Sequence, residues 1–251
     1  MKDKIAVITG AGRGIGAAIA QTYAKAGMKI AICARSERAL QDVAASIENE
    51  CLAVVLDVAD PIAVETFCAQ VIAQFGKVDV LVNNAGAYGG RGRLEDSDPE
   101  IWWQTQEINI RGPYLMTRHL LPAMGEGAKI INLTSGKGMA PGANSASYHV
   151  SKAGLNMMTT ALANEMWERK IDVNLLVPGP TATVTLSQDD PASGLTSDDI
   201  LAKFEGKPPP GLPAWERLKH PQEVADLALQ MASYPMGGPN GQVFSLARRP
   251  L

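Results

Sequence analysis

The sequence predicts an α/β chain with a parallel sheet covered on both faces by helices. Short apolar, β-branched runs alternate with longer segments of helical apolar spacing along most of the 251 residues. The runs are almost wholly apolar rather than alternating, as strands buried on both faces are. The first run ends in a glycine-rich turn, TGAGRGIG at residues 9–16, that opens a helix.

Each element has a local cause. Residues 5–9 (IAVIT) are β-branched and read as a strand. Residues 15–27 carry helical spacing and stop at Gly27. Residues 29–33 form the second strand, and Ser36 caps a helix to about residue 48, with Glu37 in its first turn. Residues 52–56 are a strand, and Pro61 opens a helix reaching Phe75. Residues 78–82, 129–133 and 171–176 are further strands, with helices over 108–124 and 147–169. The rhythm breaks from Pro180 to about Pro221. Three consecutive prolines there cannot continue a helix. This stretch reads as an insertion over one face, a lid or binding loop with a short helix near 197–204.

Composition narrows the function. Hydrophobic residues make up 46% and charged residues 20%, and the formal net charge is −3. Nothing pulls the chain toward nucleic acid or an anionic membrane, and no run of about 20 apolar residues is present to span a bilayer. The start lacks the pattern of a signal peptide. Cys33, Cys51 and Cys68 show no metal-ligand spacing; their odd number suits reduced thiols in a cytoplasmic protein. No metal site is expected.

Glycines at 10, 12, 14 and 16 permit a tight turn, and the helix N-terminus behind them offers N–H groups to a pyrophosphate. The GK[ST] ending of a nucleotide-triphosphate loop is missing. At the end of the second strand, Ala34 stands where an NAD-preferring fold places an acid, and Arg35 follows. A guanidinium can hold a ribose 2′-phosphate, and Arg13 in the glycine turn can reach the same group. NADP(H) is therefore expected ahead of NAD(H); the plain alternative is an Arg35 that faces solvent. Asp57 either accepts from the adenine amino group or caps its own loop. The NNAG run at 83–86 either lets a cofactor approach or ties strands together.

The stretch SYHVSK puts Tyr148 and Lys152 four residues apart on one helix face. Tyrosine has an ordinary pKa of about 10, so a neighbouring ammonium is needed to favour the phenolate. Ser135 ends a strand at the sheet's carboxyl edge and can orient a carbonyl or hydroxyl. Tyr148 can then exchange a proton with that oxygen while hydride passes at the adjacent carbon. Asn109 either holds a water that links Lys152 to solvent or bonds locally and distorts its helix.

Taken together these motifs resemble the short-chain dehydrogenase/reductase family: TGAGRGIG its cofactor turn, NNAG its fourth-strand motif, YHVSK its catalytic pair, and PGPTAT at 178–183 its segment after the sixth strand. Residues 241–245 look like its final strand. The resemblance implies a three-layer doubly wound Rossmann fold with a central, mostly seven-stranded parallel sheet. It implies one domain over 1–251, with the lid at about 184–220. The catalytic tetrad would be Asn109, Ser135, Tyr148 and Lys152. The cofactor would lie against Gly10, Arg13, Gly14, Ile15, Gly16, Arg35, Ser36, Asp57 and Val58. Beyond these it would meet Asn84, Ala85, Gly86, Tyr148, Lys152, Pro178, Gly179, Thr181 and Thr183. A homotetramer is the usual assembly, with a dimer as the alternative.

Two departures stand out. Lys137 follows the serine and would pair with an acidic substrate or lid carboxylate, or else lie in solvent. Arg248 and Arg249 replace a glycine-rich ending and would meet a neighbouring subunit or its pocket. Tyr88, Met139, Leu195, Phe204, Leu212 and Trp215 suggest a pocket for a small to medium apolar or aromatic compound whose carbonyl is reduced with NADPH. The alternatives are an NAD-dependent alcohol or diol dehydrogenase, a 3-oxoacyl thioester reductase, and a non-catalytic dinucleotide-binding scaffold or redox sensor.

Overall fold

Ile5–Thr9 is buried along its whole length and forms β1, an inner strand of the sheet. The computed structural model describes every residue except 141, 188, 189, 191, 192, 206, 208–214 and 249–251. Leu212 and Arg249 lie outside the described residues.

From β1 the chain runs through α1 (Gly14–Lys25), β2 (Lys29–Ala34), α2 (Glu37–Ala45), β3 (Cys51–Val55), α3 (Pro61–Phe75) and β4 (Val80–Asn83). It continues through α4 (Pro99–Gln106), a π turn (Glu107–Arg111), α5 (Gly112–Leu120), β5 (Lys129–Leu133), α6 (Ala146–Glu165) and β6 (Asp172–Val177). Short helices α7 (Val184–Ser187) and α8 (Ser197–Lys203) precede α9 (Pro221–Ser233) and β7 (Val243–Ser245). The seven strands form one parallel sheet in the order β3-β2-β1-β4-β5-β6-β7.

Two apolar layers cover the sheet. One packs Ile19 and Tyr23 of α1, Leu40 of α2 and Val224 and Ala228 of α9 against it. Within that layer the buried Tyr23 hydroxyl donates to Ala228 O at 2.8 Å, so its polar tip is satisfied. The other packs Phe67 and Val71 of α3 and Leu115 and Leu120 of α5. Strand order reverses between β1 and β4, and a crevice opens there at the strands' carboxyl ends. No helix among the described residues is long and apolar enough to cross a membrane.

Several boundaries differ from the sequence reading. The expected helix over 108–124 is the π turn, α5 and a short 3-10 turn, and the sequence reading lacks α4, which joins α5 through the π turn. Asp98 starts α4 earlier, accepting from Glu100 N at 2.8 Å ahead of Pro99. Helix α9 was not foreseen, although His220 caps it, Pro221 is its first residue and Glu223 closes a capping box. Ser36 occupies the cap position of α2, yet its side chain makes no capping bond and the helix ends at Ala45.

Candidate active site

The glycine turn is fixed by the strand beside it. Gly10 has φ +66, and a Cβ there would lie 2.8 Å from Ala85 Cα, so only glycine lets the turn pack on the end of β4. Asn84 Nδ2 donates to Thr9 O at 2.8 Å and Gly10 O at 3.1 Å, while Thr9 Oγ1 accepts from Asn84 N and Ala85 N. Asn83 donates to Asn132 Oδ1 at 2.8 Å, and Asn132 to Thr159 Oγ1 at 2.8 Å. Both asparagines therefore brace neighbouring strands.

A cavity of about 820 Å³ runs along the carboxyl edge. The expected cofactor residues other than Gly179 and Thr181 line it, Tyr148 and Lys152 among them; Asn109 and Ser135 are not among its lining residues. At one end burial, and then the charge of Arg35, lower the pKa of Arg13. Two cations crowd here, and the Asp57 carboxylate is 3.8 Å from Arg35. Such a place favours an incoming dianion. Asp57 Oδ1 also accepts from Ala59 N at 3.0 Å, so it caps its own loop while also lining the cavity.

At the other end Tyr148 and Lys152 stand one turn apart on α6. Lys152 is 5% exposed; its Nζ donates to Leu133 O at 2.9 Å and lies 5.8 Å from the Tyr148 ring centroid. Burial pushes the Lys152 ammonium down to about 8. Burial pushes the half-buried Tyr148 phenol up to about 12; a bond from Ser135 opposes this and Tyr88 adds to it. The phenol therefore moves up rather than down as expected, because desolvation outweighs the bond from Ser135 and Lys152 is not among the groups that shift it.

Asn109 sits in the π turn, a distortion that recurs at functional sites. Its Nδ2 donates to Ala87 O at 2.7 Å and Ser151 Oγ at 2.9 Å, and its Oδ1 accepts from Ala87 N at 2.8 Å. A Cβ on Gly86 would meet Asn109 Oδ1 at 3.3 Å and Lys152 Nζ at 3.7 Å, so the two groups face each other across that glycine.

Lys137 is neither in solvent nor paired with a carboxylate among the described residues. Its Nζ donates to the Tyr88 hydroxyl and to Ser145 Oγ at 3.0 Å, and its main-chain N donates to Ser135 Oγ at 3.2 Å. Tyr88 stacks on Tyr148, with Arg91 Cζ 4.4 Å from its ring centroid. Burial raises the Tyr88 phenol, but the bonds from Lys137 and Ser145 and the charges of Lys137 and Arg91 outweigh it and leave it below its ordinary value. The sequence held a faint signal for this ring, a tyrosine flanked by Gly86, Gly89 and Gly90.

Of the expected pocket residues, Tyr88 and Leu195 line the cavity. Phe204 instead packs on a small lid core of Ala182, Ile200 and Leu218, and Trp215 is 63% exposed. Met139 is half-buried off the cavity. His149 bonds locally, to Ser145. Arg248 is exposed, and its main-chain N donates to Glu216.

Residues 4–193 match the sequence model of the short chain dehydrogenase family. The short chain dehydrogenase tazN of Aspergillus terreus is 37% identical over 195 residues, 73% of this chain, which spans 42% of that longer protein. The 3-oxoacyl-(acyl-carrier-protein) reductase FabG of Escherichia coli is 34% identical over 234 residues, 92% of this chain and 91% of the relative. Among solved structures, a short chain dehydrogenase from Burkholderia cenocepacia in complex with NADP superposes with a TM-score of 0.83. It is 32% identical, and the match covers 97% of this chain and 96% of that one.

Proposed function

Because this chain belongs to the short-chain dehydrogenase/reductase family, we propose that it is an NADPH-dependent reductase of 3-oxoacyl compounds, carried as thioesters. The chain is an NAD(P)-dependent oxidoreductase; the cofactor's phosphate, the substrate class and the role of each residue are the proposal. The observation that carries it is one cavity that joins the Arg13–Arg35 pair to Tyr148 and Lys152. The name of the Escherichia coli relative supports the substrate class. The complex of the Burkholderia cenocepacia protein supports NADP. NAD(H) remains the second cofactor.

The residues present fit a dinucleotide. Gly10 and Gly14, at φ +66 and +55, leave the turn without side chains where a pyrophosphate would pass. Arg13 and Arg35 would hold a 2′-phosphate, and Ser36 would border it. The 178–183 turn would meet the nicotinamide end, with Thr183 beside Gly14. When bound, the dihydronicotinamide supplies the hydride. Tyr148, protonated well past neutral pH, gives its proton to the carbonyl oxygen that Ser135 orients. Lys152 refills Tyr148, and Asn109 holds the loop through which Lys152 meets solvent.

Lid residues Leu195 and Ile200 border the cavity and would cover an acyl chain. Arg91, Arg93 and Lys137 do not form a common docking patch for a carrier: Arg93 pairs with Glu95 at 2.7 Å, and the other two turn to Tyr88. That leaves an apolar or aromatic carbonyl compound as the second substrate reading. The proposal takes the chain as one cytoplasmic domain that assembles as a homotetramer or dimer. Exposed Trp103, Tyr114 and Met157 on α4, α5 and α6 support assembly.

Fluorescence titration with NADPH and NADH, followed by turnover of a 3-oxoacyl thioester beside a panel of aromatic ketones, tests the reading. NADPH should bind tighter and the thioester should show the higher kcat/KM. Tighter NADH would remove the phosphate assignment, and turnover confined to the ketones would remove the acyl substrate.

A further inference from the structure

The stretch that returns from the lid carries a buried ion pair where it meets the turn after β6. Lys219 and Glu216 are 1% and 4% exposed. Lys219 Nζ donates to Glu216 Oε1 at 2.6 Å and to Arg217 O at 3.1 Å. The Lys219 main chain is paired too: its N donates to Pro180 O at 3.0 Å, and Ala182 N donates to its O at 2.8 Å. This parallel bridge between Thr181 and Lys219 brings the lid's two ends together.

The ammonium lies against Gly179. A Cβ there would sit 3.0 Å from Lys219 Nζ and 3.3 Å from Ala247 N and Cα, and Gly179 has φ +67. Glu216 Oε2 accepts from Arg248 N at 3.1 Å, so the C-terminal tail is anchored to the same point. Pro178 and Thr183, at either end of this turn, line the cavity beside Tyr148 and Lys152.

A buried ion pair is a poor device for stability alone, because desolvation offsets most of the attraction and an apolar pair of similar size would serve as well. What charge adds is direction. The bonds of the ammonium and carboxylate fix Lys219, whose main chain holds Pro180 and Ala182 of the glycine turn, and they hold Arg248 N, where an apolar contact would let either slide.

We propose that Glu216 and Lys219 are positioning residues for the nicotinamide end of the cofactor. The pair seats the 178–183 turn and closes the neck of the lid behind it. This rests on the reading that the cavity takes NADPH.

The test compares two ligands: NADPH, and adenosine 2′,5′-bisphosphate, which carries the adenosine end without nicotinamide. Glu216→Leu with Lys219→Met removes both charges and so leaves no orphaned ion in the core. Arg248→Pro deletes the main-chain N–H that reaches Glu216, together with an exposed side chain, and decides the matter should the double variant not fold. Displacing the turn should weaken NADPH binding about tenfold in the double variant, and less in Arg248→Pro, with the bisphosphate unaffected. Unchanged NADPH affinity, or equal loss of both ligands, would overturn the positioning role. A wild-type protein that binds neither ligand would instead strike down the cofactor reading beneath it.

Discussion

The Tyr88 ring lies on the Tyr148 ring, centroids 4.5 Å apart and planes 19° from parallel. Lys137 and Arg91 hold Tyr88 in that place. An ionised Tyr88 would oppose ionisation of Tyr148, which is the direction of its influence on that phenol. Tyr88→Phe keeps the ring and removes the charge. Under the proposed role Tyr148 acts as the base in alcohol oxidation, so the rising limb of the kcat–pH profile should move to lower pH. A limb that stays in place or moves upward would show that the two phenols are not coupled.

Tyr148→Phe should lower kcat by about 10³-fold, within the range of a lost general acid. The ring, its stack and the position of Lys152 remain, so cofactor affinity and the unfolding midpoint should hold. Single-turnover kinetics with titrated cofactor separates these. Survival of most of the activity would move the proton to another group.

Arg35→Ala should raise the KM for NADPH by about 10- to 100-fold, the value of charged hydrogen bonds to a phosphate. NADH should change little. Arg35 is 68% exposed in its side chain and only 3.8 Å from Asp57, so its present ion pair contributes little to the fold. Steady-state kinetics with both cofactors decides; parallel changes in both would mean that Arg35 does not touch the 2′-phosphate.

The sheet was legible because buried parallel strands are apolar throughout. Strands β1, β2 and β5 fall where their β-branched runs fall, to within a residue. The glycine turn and the i, i+4 placement of Tyr148 and Lys152 on α6 were legible because both are local signals. What escaped depends on contacts between distant segments. Lys137 reads as a loop lysine until the chain brings Tyr88, 49 residues away, to its Nζ. The division at the π turn follows from Asn109 bonding to Ala87 and Ser151, which no periodicity reveals. Helix α9 carried ordinary capping signals, but the proline-rich stretch ahead of it obscured its start.

Lys152 should cost the protein stability as it serves the reaction. Its ammonium is buried, and its pKa falls from 10.5 to about 8. Below pH 8 both folded and unfolded chains carry the proton, and the fold bears the full desolvation cost. Between pH 8 and 10.5 the unfolded chain holds more protons than the folded one, so stability contributed at this site rises with pH. Lys152→Met removes the charge while keeping most of the apolar length. It also leaves Leu133 O without its donor, which returns part of the gain. At pH 7 the variant should be more stable by about 2 kcal/mol or less, and inactive. The difference should shrink as the pH approaches 10. Urea unfolding at pH 7 and pH 10 checks both the sign and the trend. A variant less stable than wild type at pH 7 would mean that the fold favours the ammonium, contrary to its burial.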